Sequence, residues 1–378
     1  MKKIRMLLLV FVCIALVVPG SGAEKNAVST ARIVDPTASF FDITARRAEL
    51  GSATNPRLLD ALKDKSGCLS AEQPQPPTGR MIIPHHYLQG SNGPVNPLEK
   101  PATEPYHKLQ DAVTRGAGRY LATGDHAEAV CVAKVLATWA AAKALLNYTR
   151  EESSQAWYQV EWTLGSVSLA YSVVQSDPSI PRDQRKLILA WLHNVAEYMF
   201  DQDKDRDATK ENNHAYGRAL DATSVGILTG DEALYRRGLE QYVRAIAQMN
   251  PDGSFPLEMA RHENALWYQS FALAPLAMVA ELANRQGVDL YDLKVNGHSF
   301  SDAVNFLVTA SAQPEQMKKY ALETQTFSLY SGKAPPGWLE FWARRHPGAP
   351  WDELLTKPLF DSNLGGSTTL FAAPAKAK

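Results

Sequence analysis

The chain has 378 residues, 45% of them apolar, with 39 basic and 40 acidic side chains and a formal net charge of −1. That balance excludes a chain built to coat nucleic acid or an anionic membrane, so any grip on a polyanion has to come from a local basic cleft. Length and apolar content suffice to bury a large core, as one helical domain or two smaller ones.

Met1 to Ala23 has the layout of a secretory leader: Lys2, Lys3 and Arg5, the apolar run Met6 to Val18, then Gly20-Ser21-Gly22-Ala23 where a signal peptidase cuts. The run is too short and wrongly flanked for a membrane span. Its removal takes away three cations and no acid, so the net charge moves from −1 to −4. Residues 24–378 are then an exported chain, expected in the periplasm, with secretion as the alternative and no membrane contact after cleavage. Cys13 leaves with the leader, so Cys68 and Cys131 remain. An even pair in an exported protein points to one disulfide, two buried free thiols being the alternative. The cysteines lack zinc-ligand spacing, and the nine histidines form no His-x3-His or His-Glu-x2-His pattern. No Gly-rich phosphate loop and no Gly-x-Ser-x-Gly elbow occur either.

From Glu24 to Gly67 the pattern is mixed, with one short helix predicted over Asn55 to Lys65. Gln73 to Thr78 is proline-rich, and four prolines between Ser91 and Pro105 predict a long irregular loop. His85, His86 and Tyr87 sit at its edge, so residues 80–105 read as lid-like, or as a surface loop without a role. Beyond Pro105 the periodicity predicts amphipathic helices over Tyr106–Thr123, Asp125–Asn147, Glu152–Gln175, Pro181–Met199 and Asn213–Thr229. It continues over Glu232–Met249, Arg261–Gln286, Phe300–Ala312, Pro314–Tyr330 and Pro336–Arg345. Alternating strand patterns are nearly absent, and short turns such as Thr123-Gly124-Asp125 separate the helices. Such hairpins build a solenoid or a toroid, and the lack of a fixed repeat disfavours the solenoid. The fold class expected is all-α. Of Trp139, Trp157, Tyr158, Trp162, Tyr171, Trp191 and Trp267, most fall at core spacing, leaving two or three to stack on a ligand.

One stretch concentrates chemistry. Glu211-Asn212-Asn213-His214-Ala215-Tyr216 puts two amides, an imidazole and a phenol where Asn212 or Asn213 can cap a helix that Gly230 ends. In that first turn, backbone N–H groups and the helix dipole favour an anion. A capping asparagine followed by an ordinary histidine would look the same. Further on, Arg261 and Tyr268 are seven apart, two turns, and share a face if the segment is helical throughout. Cation, phenol, amide and imidazole together can hold a carboxylate and move a proton beside it.

Asn-Asn-His-x-Tyr at 212–216, Arg-x6-Tyr at 261–268 and Tyr-x2-Phe-Ala-Leu-x-Pro-Leu-Ala-Met at 268–278 resemble the alginate lyases of polysaccharide lyase family five. The same order holds for Cys68-Leu69-Ser70 with Pro-Pro-Thr-Gly at 76–79, Cys131 before Trp139-Ala140, and Trp162 to Tyr171. It continues through Gln286 to Leu290 and Asn363-Leu364-Gly365-Gly366. The resemblance implies an incomplete (α/α) toroid, a Cys68–Cys131 disulfide and β-elimination on a polyuronate, without metal or cofactor. Carried over residue by residue, it implies Asn213, His214 and Arg261 as groups that neutralise the sugar carboxylate and Tyr268 as both base and acid. His214 is the alternative base for the opposite epimer. His86, Tyr87, Asn212, Tyr216, Trp162 and Trp267 are the expected substrate-binding residues. Two departures stand out: His86 precedes Tyr87 where the family carries lysine, and Gly217 follows Tyr216 where tryptophan is frequent.

The residue types fit that chemistry. Loss of the C5 proton piles charge onto an already anionic carboxylate, and each well-aimed donor or cation stabilises it by about 3 kcal/mol. A tyrosine is a poor base at neutral pH unless nearby cations favour its phenolate, as Arg261 or a protonated His214 could. Other readings are a lyase of glucuronan or hyaluronan, a silent polysaccharide-binding toroid, and a glycoside hydrolase using Glu211, Glu258 or Glu263.

Overall fold

A helix that is apolar all round has to be covered on every side, and two of them form the centre of this molecule. The computed structural model describes residues 28–89, 92–202 and 208–376; the leader read in residues 1–23 lies outside the described residues. After the short helices α1 (Ile43–Gly51) and α2 (Pro56–Leu62) and the antiparallel hairpin β1 (Tyr87–Gln89) and β2 (Asn92–Val95), long helices follow in pairs. These are α3 (Glu99–Thr123) with α4 (His126–Ala141), α5 (Ser154–Val174) with α6 (Arg182–Asp201), α7 (Asn213–Thr229) with α8 (Glu232–Ala247), and α9 (Ala265–Arg285) with α10 (Phe300–Ala312). The odd-numbered members pack side by side, α3 on α5, α5 on α7 and α7 on α9, while α4, α6 and α8 lie outside them. Every side chain of α5 from Gln159 to Val174 except Trp162 is buried, as is every one of α7 from Arg218 to Leu228. The result is the incomplete (α/α) toroid.

Local chemistry sets most boundaries. Asp125, Ser153, Asn212 and Asp231 cap α4, α5, α7 and α8 through side-chain oxygens, and Gly124 and Gly230 end α3 and α7 in the left-handed region. Glycines also set the closeness of α7 and α8. A Cβ at Gly226 would lie 2.5 Å from the Tyr235 nitrogen, and one at Gly238 would lie 2.1 Å from the Thr223 hydroxyl. The open side of the ring is bridged by the C-terminal segment, in which α11 (Leu339–Arg345) contacts α9 and α12 (Thr368–Ala372) contacts α2 and α3. Buried Arg46 donates to the carbonyls of Leu370 (2.7 Å) and Thr369 (3.2 Å), and Arg57 pairs with buried Glu340. These bonds tie both ends of the chain together.

Four expectations are corrected. The helix predicted from Tyr106 begins at Glu99 despite Pro101 and Pro105: Pro101 sits in the first turn, where an N–H has no helical partner in any case, and Pro105 costs one bond. The rest of the expected loop carries the β-hairpin. α4 stops at Ala141, short of Asn147, where Lys143 and Leu145 take positive φ. Between Pro314 and Tyr330 only a 3-10 turn to Lys319 forms.

Cys68 and Cys131 form a disulfide across 63 residues, joining the loop after α2 to α4. Restricting so long a loop in the unfolded chain contributes about 4 kcal/mol. Replacing both cysteines by serine is expected to lower the thermal midpoint by about 5 °C or more. Thiol titration of the denatured, unreduced protein is expected to find none; two titratable thiols would remove the assignment.

Candidate active site

Helices that alternate between inner and outer positions bring α3, α5, α7 and α9 in from the same end, so their N-terminal halves converge. A cleft of about 500 Å³ opens there. It is lined by His107 and Gln110 of α3, Gln155, Tyr158 and Trp162 of α5, Asn212, Asn213 and His214 at the start of α7, and Trp267, Tyr268 and Phe271 of α9. His85, His86 and Tyr87 border it from the hairpin, with Thr209, Arg261 and Asn363 completing the wall. The first turns of α5, α7 and α9 border the cavity through Gln155, Asn213 and Trp267, an arrangement suited to an anion.

Asn212 caps α7 by accepting from the His214 N–H at 3.1 Å, which fixes the first turn. The His214 ring stacks on Tyr158, centroids 3.8 Å apart, with Trp162 beyond at 6.1 Å. Asn213 is buried and turned toward Glu258: its backbone N–H donates to Oε1 at 2.7 Å, and its side-chain amide lies 3.1 and 3.0 Å from the two carboxylate oxygens. Burial lifts the Glu258 carboxyl to about 7, with the Asn213 donors and Arg261 pulling it down.

Arg261 and Tyr268 meet by a different route from the one expected. The chain between them is not helical throughout: His262 has φ of 52°, a 3-10 turn spans His262–Asn264, and α9 begins only at Ala265. The turn nevertheless folds Arg261 back, its guanidinium 3.7 Å from the Tyr268 ring centre and its Nη2 donating to the phenol oxygen at 2.5 Å. Burial pushes the Tyr268 phenol above its ordinary range, and Arg261 opposes this without cancelling it. Arg261 thus acts in the direction that favours the phenolate, against the effect of burial.

Of the expected substrate-binding residues, His86, Tyr87, Asn212, Trp162 and Trp267 line the cleft. Tyr216 does not: it is fully buried, packs on Phe255, donates to the Glu211 carbonyl at 3.0 Å and hydrogen-bonds Gln248. It lies about 200° round the helix from His214, on the buried side to which Asn213 also turns. Among the aromatics singled out, Trp139, Trp157, Tyr171 and Trp191 are core, whereas Tyr158, Trp162 and Trp267 border the cleft. Trp267 is 42% exposed and stacks on Phe271 at 4.9 Å. The hydrolase reading loses its acids, since Glu211, Glu258 and Glu263 are all absent from the cleft wall.

Sequence reasoning missed the support beneath these groups. Glu161 is buried, pairs with Arg218 at 3.2 Å and approaches His214 Nδ1 at 3.4 Å. Gln110 donates to Asn363 at 3.0 Å and to the Trp162 carbonyl at 3.2 Å, tying the C-terminal Leu-Gly-Gly turn to the wall. Adjacency of Glu161 to Trp162 was the only signal available.

Residues 44–317 match the family model described as Alginate lyase. A polysaccharide lyase of Stenotrophomonas maltophilia is 32% identical over 79% of this chain and 90% of its own, and an alginate lyase of Pseudomonas putida is 27% identical over 75% and 79%. Among solved structures, alginate lyase A1-III from Sphingomonas species A1 is similar at a TM-score of 0.85, with 39% identity over 91% of this chain and 98% of that one. A histidine-to-alanine variant of A1-III complexed with a tetrasaccharide gives 0.86, at 39% identity over 91% and 97%.

Proposed function

This chain belongs to the alginate lyase family and is a polysaccharide lyase, and from that premise we propose that it cleaves alginate at mannuronate, acting in the periplasm. The observation that carries the reading is the placement of Arg261 on the face and hydroxyl of Tyr268, in one cleft with Asn213 and His214.

The uronate carboxylate is held by Arg261, His214 and Asn213. One Asn213 amide hydrogen is shared by the Glu258 oxygens, leaving the second for the sugar. Developing charge at C5 and the carboxylate is met by these fixed groups in a partly desolvated site. On mannuronate the C5 hydrogen and the C4 oxygen lie on one ring face. In its deprotonated form the Tyr268 oxygen takes the C5 proton, the freed electron pair forms the C4=C5 double bond, the C4–O bond breaks, and the phenol so formed returns the proton to that oxygen. Because burial raises the phenol, the base form grows with pH, and turnover is expected to climb through the neutral and alkaline range. Tyr158, Trp162 and Trp267 offer flat faces to neighbouring sugar rings.

The test is a panel of pure mannuronan, guluronan, glucuronan and hyaluronan followed by ultraviolet absorbance of the unsaturated product. Mannuronan is expected to give the fastest rise. Reducing ends without absorbance would indicate hydrolysis, and a faster rise on glucuronan or hyaluronan would move the substrate assignment.

A further inference from the structure

Beneath the cleft lies a buried charged pair that the reaction scheme leaves unused. Glu161, on α5, is 3% exposed; its Oε2 accepts from Arg218 Nη1 at 3.2 Å, and its Oε1 lies 3.4 Å from His214 Nδ1. Arg218 in turn donates to the Thr209 carbonyl at 2.7 Å and lies 4.3 Å from the centre of the Trp157 ring. The space for the carboxylate comes from Gly217, where a Cβ would fall 2.2 Å from Oε1 and 2.8 Å from the carboxyl carbon. Any other residue at 217 would displace Glu161 from this position.

We propose that Glu161 is a positioning residue that holds the His214 imidazole with Nδ1 protonated and turned inward, so that Nε2 is presented to the cleft. His214 Nδ1 is buried and makes no hydrogen bond to another group, and the oxygen facing it belongs to a carboxylate. A lone pair on Nδ1 would point at that negative charge, whereas an N–H closes on it with a small ring rotation. The stacked Tyr158 ring keeps the imidazole plane in place. The other groups around His214 do not supply a competing anion. Arg218 faces Glu161 from α7, Asp221 is fully buried with its carboxyl raised by that burial, Glu258 lies under Asn213, and Arg261 and Tyr268 line the same cleft. Arg218 offsets most of the charge of Glu161, so the carboxylate acts on the orientation and tautomer of the ring more than on its total charge.

What His214 does with Nε2 rests on the lyase reading; its tautomer does not, and can be measured on the resting protein. Nitrogen-15 NMR of the imidazole above its titration range is expected to show a protonated Nδ1 and an unprotonated Nε2 in the native protein. Glu161→Gln is expected to turn this into a mixture of tautomers and to lower kcat by about 10- to 100-fold with KM little changed. That loss is smaller than the ~10⁴-fold loss seen when a triad carboxylate is replaced, because Tyr268 carries the proton here. Gly217→Ala, which keeps both charges and crowds the carboxylate, is expected to give the same spectral change. A native spectrum with the proton on Nε2, or a folded Glu161→Gln protein with an unchanged pattern, overturns the proposal while leaving the assignment of Tyr268 intact.

Discussion

Tyr268→Phe is expected to lower turnover on mannuronan by about 10⁴-fold, since one oxygen serves as both base and acid and each such role contributes 10²- to 10⁴-fold. The ring that packs on Arg261 and Trp267 remains, so the fold and the affinity for an oligosaccharide are expected to change little. Progress curves of the ultraviolet absorbance of the unsaturated product, together with calorimetric binding of a mannuronate oligomer, separate the two effects. A variant that binds and still turns over at near-native rate would remove Tyr268 from the reaction.

Arg261→Ala comes next, with an expected loss of about 10³-fold in kcat/KM, the scale of removing a preorganised donor from a developing anion. Two contributions combine. The guanidinium neutralises the sugar carboxylate, and it also restrains the rise in the Tyr268 phenol that burial causes. Without Arg261 the phenol moves further up, so the rising limb of the pH–rate profile is expected to shift to higher pH. Arg261→Lys keeps the charge but loses the planar fork that stacks on the ring, and is expected to retain part of the rate, about 10-fold above the alanine variant. A pH profile unmoved in Arg261→Ala would show that the cation acts on the sugar alone.

The way these residues come together shows which inferences local sequence supports. The helix over Phe300–Ala312 and the start and stop of α7 agree with their predicted bounds, because Asn212 and Gly230 satisfy the backbone groups at either end whatever the rest of the chain does. Expecting Arg261 and Tyr268 on one helical face gave the right neighbours through the wrong conformation, since the left-handed His262 and the 3-10 turn replace the first helical turn. Proline counting failed at Glu99 for a related reason: a proline in the first turn of a helix sacrifices no bond. Tyr216 was misplaced because a motif lists residues without giving the direction in which each side chain points.

The amino-acid sequence by itself determined the succession of helices, the caps that bound most of them, the paired cysteines, and the four polar groups around which the reaction is proposed. Tertiary structure alone decided that the inner helices enter from one end and set their N-terminal halves around a single cleft, that Glu258 lies under Asn213 and Glu161 under His214, and that Tyr216 belongs to the core. The reason is range. Caps and periodicity act within a few residues, whereas Asn213 and Glu258 are 45 positions apart and Glu161 and Arg218 are 57 apart, so their meeting is fixed by how whole helices pack.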